Sequence, residues 1–398
     1  MKHDNKVIVT HGKGPFKNAK EALGSLDLNF LKGKSILIKP NIGRSTSKEK
    51  MGINAHPEAI AGAIEVLQEA QAHKIAIGES PIVGVKTFEA FNKAGVTDIA
   101  KRYNCELIDL DKEKPIIKAI PGSRVISSTK ICSQIYEFDY ILSLPVAKMH
   151  MHTGVTLGIK NMKGCLYRRE KVRYHQLEYK KGKEYKEMTL DSAISDLATV
   201  LLPDITVIDG YVGMEGLGPS GGESVTSNFA VASLNPFGAD VIGCIMMGQN
   251  PSDIPHLRLI SERMGFGIDP GSYDVYPENY KNFITHYKKP PKEISIEYPD
   301  VVLTDKESCS ACLSTVMFFL KRFKTDMSQY LSDDKKLHLA IGKGLSDIDI
   351  DDKTILIGNC ARNIFKNGIF IPGCPPVPTR IYKAIIGKEP NENEPEVK

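Results

Sequence analysis

The sequence contains no long apolar run. No stretch approaches the roughly eighteen uninterrupted apolar residues of a membrane-spanning helix, so no membrane partner is expected. The opening Met1-Lys2-His3-Asp4-Asn5-Lys6 leads straight into the strand-like Val7-Ile8-Val9-Thr10, without the apolar core and small-residue cleavage site of an export signal. A cytoplasmic location is expected. Charge of one sign is scarce as well: 52 Lys+Arg against 48 Asp+Glu leave +4 over 398 residues, too little and too dispersed for a nucleic-acid-binding face. There is no Gly-x-x-x-x-Gly-Lys-Ser/Thr segment, which excludes a phosphate cradle of the P-loop type, and there is no internal repeat. Without an export signal, eight cysteines point to metal ligands or catalysis rather than to a disulfide framework.

What is present is an ordinary globular composition, 41% hydrophobic and 25% charged, in a chain long enough for two domains. Short apolar runs at 35–39, 74–78, 106–110, 139–144 and 204–208 end in Gly, Pro or polar residues, and helical patterns such as Pro57–Glu69 lie between several of them. That alternation predicts an α/β fold with a mostly parallel sheet covered by helices. Ligands of such folds sit at the C-terminal ends of strands. Here those ends read Lys39-Pro40-Asn41, Glu79-Ser80-Pro81, Pro145 to His152 and Asp209-Gly210. From about 266 to 298 the pattern weakens into Gly, Pro, Tyr and Lys, including Lys288-Lys289-Pro290-Pro291-Lys292, and reads as a connection. The first domain is thus expected over 1–265. A second, smaller α/β domain follows over 299–388, with strands at Val301-Val302-Leu303, His338–Ile341 and Thr354–Ile357 and helices at Leu313–Phe323 and Thr379–Ile386. Residues 389–398 read as an acidic, disordered tail.

Four of the cysteines look organised. Cys309-Ser-Ala-Cys312 places two thiols within about one turn at the start of a helix, where N–H groups and the helix dipole favour thiolates. Gly358-Asn-Cys360 follows a strand and Pro372-Gly-Cys374-Pro-Pro376 precedes the last helix, so both arrive on strand-end loops. Four thiolates hold either a [4Fe–4S] cluster or tetrahedral zinc. Structural zinc usually takes paired Cys-x-x-Cys knuckles, whereas one pair and two isolated cysteines favour the cluster. The order Cys-x-x-Cys, Gly-x-Cys, Gly-Cys-Pro-Pro resembles the cluster-binding domain of hydrogenase small subunits and the related subunit of respiratory complex I, over roughly ninety residues.

A second constellation spans 139–165, where Lys148, Lys160 and Lys163 offer charge, Thr153 and Thr156 hydroxyls, and Gly154, Gly158 and Gly164 room for backbone N–H groups to meet an anion. Lys39, Asn41 and Asn161 join them as candidate anion-binding residues. Asp209 and Glu215 read as carboxylates in a glycine-rich turn, suited to a ligand, a metal ion or acid–base work. Candidate catalytic residues are His150, His175 and Lys163, the histidines as proton donors near neutrality. His56, before Pro57 at a helix start, reads as structural. Lys39-Pro-Asn41, Pro145-Val-Ala-Lys148-x-His150, Gly158-Ile-Lys-Asn-x-Lys-Gly164 and Asp209-Gly to Gly222 resemble the DUF362 family over roughly residues 5–260. The resemblance implies a shared ligand site without naming the ligand; members often carry iron–sulfur domains.

Together these features predict an iron–sulfur oxidoreductase. A [4Fe–4S] cluster would exchange electrons with an anionic small molecule held by the first domain, and a redox partner protein would supply or accept them. A non-catalytic electron carrier or sensor is the other reading, and a transferase with a structural four-cysteine site is a third.

Overall fold

The structure, a computed structural model, describes residues 4–177, 189–290, 298–323, 336–347, 350–366 and 368–387. The chain divides into two compact units, Met1–Pro290 and Pro291–Lys398.

Among the described residues, the first unit holds twelve strands: β1 Lys6–His11, β2 Ser35–Pro40, β3 Lys74–Glu79, β4 Glu106–Asp109, β5 Ile116–Ala119, β6 Ser128–Ile131, β7 Tyr140–Leu144, β8 Val146–His150, β9 Gly154–Thr156, β10 Ile205–Glu215, β11 Glu223–Ser233 and β12 Asp274–Tyr276. Ten of them form one sheet in the order β12-β1-β11-β10-β7-β2-β3-β4, with β8 against β10 and β9 against β8, while β5 and β6 pair separately. β10, β7, β2, β3 and β4 run parallel; β11 is antiparallel to β10 and β1. The expected α/β architecture with a mostly parallel sheet is present. Ile36, Leu37 and Ile38 of β2 are wholly buried, as a central parallel strand covered on both faces requires.

The helix Pro57–Glu69 shows how the cover is made. Proline opens its first turn, His56 Nδ1 accepts the Glu58 N–H at 3.2 Å as a cap, and Ile60, Ala63, Ile64 and Leu67 recur at helical spacing on the buried face. His56, read as structural, therefore has a structural task.

Three expectations need revision. Residues 266–290 are part of the first unit rather than a connection: β12 runs parallel to β1, Tyr280 and Tyr287 are buried, and the Ser227 hydroxyl donates to Tyr287 Oη at 2.8 Å. A three-residue strand held by tyrosines leaves no periodicity to detect. Asp209 and Glu215 stand on β10, opposite Ala230 and Glu223 of β11, so the turn is confined to the residues between these strands. The glycines that suggested a turn here leave space for neighbours; a Cβ on Gly213 would meet the Tyr287 ring. The lysine-rich stretch after β7 is not an open loop but β8, β9 and the one-turn helix Gly158–Asn161, nearly all buried. Residues 291–297 and the tail from 389 lie outside the described residues.

Among the described residues, the second unit has a four-stranded parallel sheet, β13 Val301–Asp305, β14 Leu337–Ile341, β15 Ile355–Ile357 and β16 Phe370–Ile371, in sequential order. Helices Ser310–Phe323 and Pro378–Ile386 pack together through Phe319, Phe323 and Tyr382, the last two rings 4.4 Å apart.

Candidate functional site

At the C-terminal ends of β2 and β3, parallel pairing sets Lys39 and Glu79 on one edge. Both are almost fully enclosed, at 1% and 2% exposure, and their charges meet at 2.8 Å. Lys39 Nζ also donates to Pro40 O at 2.9 Å and to Asn161 Oδ1 at 3.0 Å, while Glu79 accepts N–H groups from Ile42 and Ser80 at 2.9 Å each. A buried ion pair is tolerable when every remaining donor and acceptor is met, and here they are. A Cβ on Gly164 would strike Lys39 Nζ and Glu79 Oε1, so glycine is required where this segment crosses the pair. Lys39 is thereby neutralised inside the protein. Asn161 is locked as well, donating to Lys39 O and Ser143 Oγ at 3.0 Å each.

Lys148, Lys160 and Lys163 are held differently. Lys148 is 3% exposed and its ammonium donates to Ile53 O at 2.7 Å; Lys160 is 8% exposed and donates to Thr156 Oγ1 at 3.2 Å. Lys163 Nζ lies 2.8 Å from His175 Nε2 and 6.0 Å from the centre of the Tyr174 ring. None of the three has a carboxylate partner among the described residues. Burial first, then repulsion from Lys160, Arg44 and Lys39, pushes Lys148 down to about 7. Burial also brings Lys160 to about 7 against the opposing pull of Asp191, and holds Lys163 well below the usual lysine range. Carboxylates nearby are engaged elsewhere: Glu79 with Lys39, Asp111 with Lys171 at 3.4 Å, and Asp191 with His256 at 3.1 Å. Uncompensated ammonium groups in a desolvated place cost several kcal/mol, a cost that a bound anion removes.

The two candidate histidines belong to the same neighbourhood. Burial, followed by Lys160 and further cations, keeps His150 well below the ordinary histidine range, and burial followed by Lys163 does the same for His175. His150 Nδ1 accepts the backbone N–H groups of His152 at 3.1 Å and Thr153 at 3.4 Å, so the neutral ring carries its proton on Nε2. It is a hydrogen-bond donor in this state.

Asp209 and Glu215 are not tied to the lysines. Asp209 accepts the N–H groups of His56 at 2.7 Å and Tyr211 at 3.1 Å, and burial raises its pKa. Glu215 accepts Lys288 N–H at 2.9 Å and pairs with Lys288 Nζ at 3.4 Å, anchoring the 280s onto β10. Sequence reasoning missed three contributors. Asp240 is fully buried and accepts the N–H groups of Gly158 at 2.6 Å and Ile159 at 3.0 Å, capping the helix that carries Lys160. Burial pushes it up to about 7. Arg44 adds a half-buried guanidinium whose Nε donates to Ser220 Oγ at 2.7 Å, and Lys171 bonds Ser80 Oγ. Arg44 lies three residues beyond Asn41 and was within reach of the motif reading; nothing local marks Asp240.

In the second unit, the four cysteines share a neighbourhood. Cys309 is pushed down to about 6, chiefly by a hydrogen bond from Cys312, aided by the N–H groups of Cys312 and Ala311 and by Lys343. Cys312 is pushed up correspondingly, and the charges of Cys309, Cys360 and Cys374 all bear on it. A Cβ on Gly358 would lie 3.2 Å from Cys312 Sγ, which brings the Cys360 loop against the Cys-x-x-Cys helix. Asn359 laces the remaining loops: its N–H donates to Gly373 O and its Oδ1 accepts Gly373 N–H, both at 2.9 Å. Cys309 is partly buried and Cys312 buried, whereas Cys360 and Cys374 are exposed, and none of the four is in a disulfide. Among the described residues, no three His, Cys, Asp or Glu side chains are gathered as ligands of a single metal ion. Cys309, the thiolate-favouring member, and Cys312 thus lie beside the loops of Cys360 and Cys374. No helix among the described residues is long and apolar enough to cross a membrane.

The chain is 26% identical over 248 residues to the thylakoid-associated protein sll1697 of Synechocystis sp. (strain ATCC 27184 / PCC 6803 / Kazusa), covering 62% of this chain and 72% of that one. Two solved structures are similar over part of their length. The lactate racemase apoprotein from Thermoanaerobacterium thermosaccharolyticum gives a TM-score of 0.41 at 15% identity, covering 60% of this chain and 56% of that one. A protein from Thermotoga maritima gives 0.34 at 14% identity, covering 52% of each. The chain thus spans little more than half the length of either. The family described as "Domain of unknown function (DUF362)" matches residues 36–245, more than half of the chain, and the protein belongs to that family.

Proposed function

We propose that this protein is an iron–sulfur oxidoreductase whose first unit binds an anionic small molecule and whose second unit holds a [4Fe–4S] cluster on Cys309, Cys312, Cys360 and Cys374. The observation that carries the binding half is the set of three lysines, Lys148 and Lys160 enclosed and Lys163 half-buried, without carboxylate partners among the described residues. An anion there restores their charge and is held by donors already in place. His150 offers a donor from Nε2, and the Lys163–His175 contact can pass a proton between two nitrogens 2.8 Å apart. Lys39, Asn161 and Asp240 keep the frame of this site rigid, by the bonds described above. When bound, a cluster supplies one electron at a time, and a redox partner protein is its source or sink.

The carrier or sensor reading is favoured by one observation: Cys360 and Cys374 are exposed, as suits a group exchanging electrons with another protein. Iron, sulfide and zinc content, with EPR after dithionite reduction, is measured on full-length protein purified without oxygen. About four irons and a reducible S = 1/2 signal support the cluster; one zinc and no iron removes the redox reading. Cys374→Ala is expected to lose or convert the cluster, while Lys163→Ala keeps it and weakens anion binding. An unchanged spectrum in the Cys374 variant overturns that ligand.

A further inference from the structure

Asn41 carries an acceptor that no donor meets among the described residues. Its backbone is fixed on both sides, N–H to Leu144 O at 3.0 Å and O from Ala55 N–H at 2.9 Å. Its side-chain Nδ2 donates to Asn161 Oδ1 at 3.3 Å, an oxygen that also receives Lys39 Nζ. Because Asn161 spends its own Nδ2 on Lys39 O and Ser143 Oγ, its orientation is determined, and with it that of Asn41. Turning Asn41 over would set two acceptors against each other. Asn41 Oδ1 is left enclosed and without a donor, on the amide next in the network to the helix that bears Lys160.

A ligand of this site therefore meets two demands. Three lysines without carboxylate partners among the described residues call for more than one negative charge. The orphan oxygen calls for a donor, which a carboxylate or a fully ionised phosphate group lacks. We propose that the ligand is a small molecule bearing two or more negative charges and a hydroxyl group, the hydroxyl donating to Asn41 Oδ1. This rests on the anion-site reading and adds the second recognition element. The shared chemistry covers hydroxy-dicarboxylates and phosphate monoesters of polyols.

The test is titration calorimetry on the full-length protein at pH 7 with two matched pairs, malate against succinate and glycerol 3-phosphate against propyl phosphate. The hydroxylated member of at least one pair is expected to bind about tenfold tighter, the discrimination of one well-placed hydrogen bond, and the pair that discriminates identifies the source of the charge. Asn41→Leu is expected to reduce that preference to within about twofold while leaving salt-sensitive binding of the non-hydroxylated member. Equal affinities within both pairs overturn the hydroxyl inference and leave the anion site standing. Absence of binding by all four compounds overturns both. The comparison of pairs on the unaltered protein decides the matter even if the Asn41 variant does not fold.

Discussion

Lys39 and Lys160 are both buried on the same edge of the first unit's sheet, yet they do opposite things. Lys39 faces Glu79, a carbonyl and an amide oxygen, so its charge is balanced and its donors are used. Lys160 has one hydroxyl and lies among other cations, in the company of Lys148 and Lys163. Burial alone therefore does not mark a ligand site. Incomplete neutralisation is what separates them, because only the second arrangement would gain from an added anion.

The largest effect separating the two is expected from Glu79→Gln, which strands Lys39 as an enclosed, unbalanced charge. It should cost about 3–5 kcal/mol in urea unfolding, and Lys39→Met in the same chain should recover most of that. A Glu79→Gln variant as stable as the parent would abolish the contrast. The pH dependence comes next. Lys148 and Lys160 sit near 7 in the fold against an ordinary 10.5 in the unfolded chain, so the unfolded state holds more protons between those values. Stability should rise with pH across that window, by up to about 1.4 kcal/mol per pH unit for each lysine, and level off above it. A multivalent anion should bind more weakly as pH rises through 7 and should flatten the slope; urea midpoints from pH 7 to 10, with and without succinate, report both. Lys160→Met removes a charge without leaving one stranded. A gain of about 1 kcal/mol in ligand-free protein at pH 7 is expected, together with loss of succinate binding by calorimetry. The smallest effect belongs to Lys13→Ala, at a surface pair with Glu21, where less than about 0.5 kcal/mol should register in the same unfolding experiment.

The cysteine loops offer a parallel contrast with the lysine site in how far local pattern reaches. Cys309 and Cys312 are neighbours by helix spacing alone, and their sharing of a proton follows from it. Cys360 and Cys374 come near them because β15 and β16 are parallel and Asn359 ties one loop to the other. The strand-end placement was readable from the glycines and prolines beside those cysteines; the lacing by an asparagine was not.

In the first unit, the apolar runs around Ile36-Leu37-Ile38 and the proline-led helix Pro57–Glu69 were legible because burial periodicity and helix-start chemistry are local properties. β12 was hidden, since three residues do not make a pattern. So was the strand character of Asp209–Glu215, where glycines make room for aromatic rings supplied by distant residues.

By itself the sequence determined the residue types at the strand ends, the α/β alternation and the four thiols in one quarter of the chain, all of which depend on order and spacing. Which lysine is neutralised and which is left without a carboxylate among the described residues was decided only by tertiary structure. Glu79 lies 40 residues from Lys39, and Asp240 lies 82 residues from the helix turn it caps. Electrostatic compensation depends on distance through space and on exclusion of water, and neither is a property of neighbours along the chain.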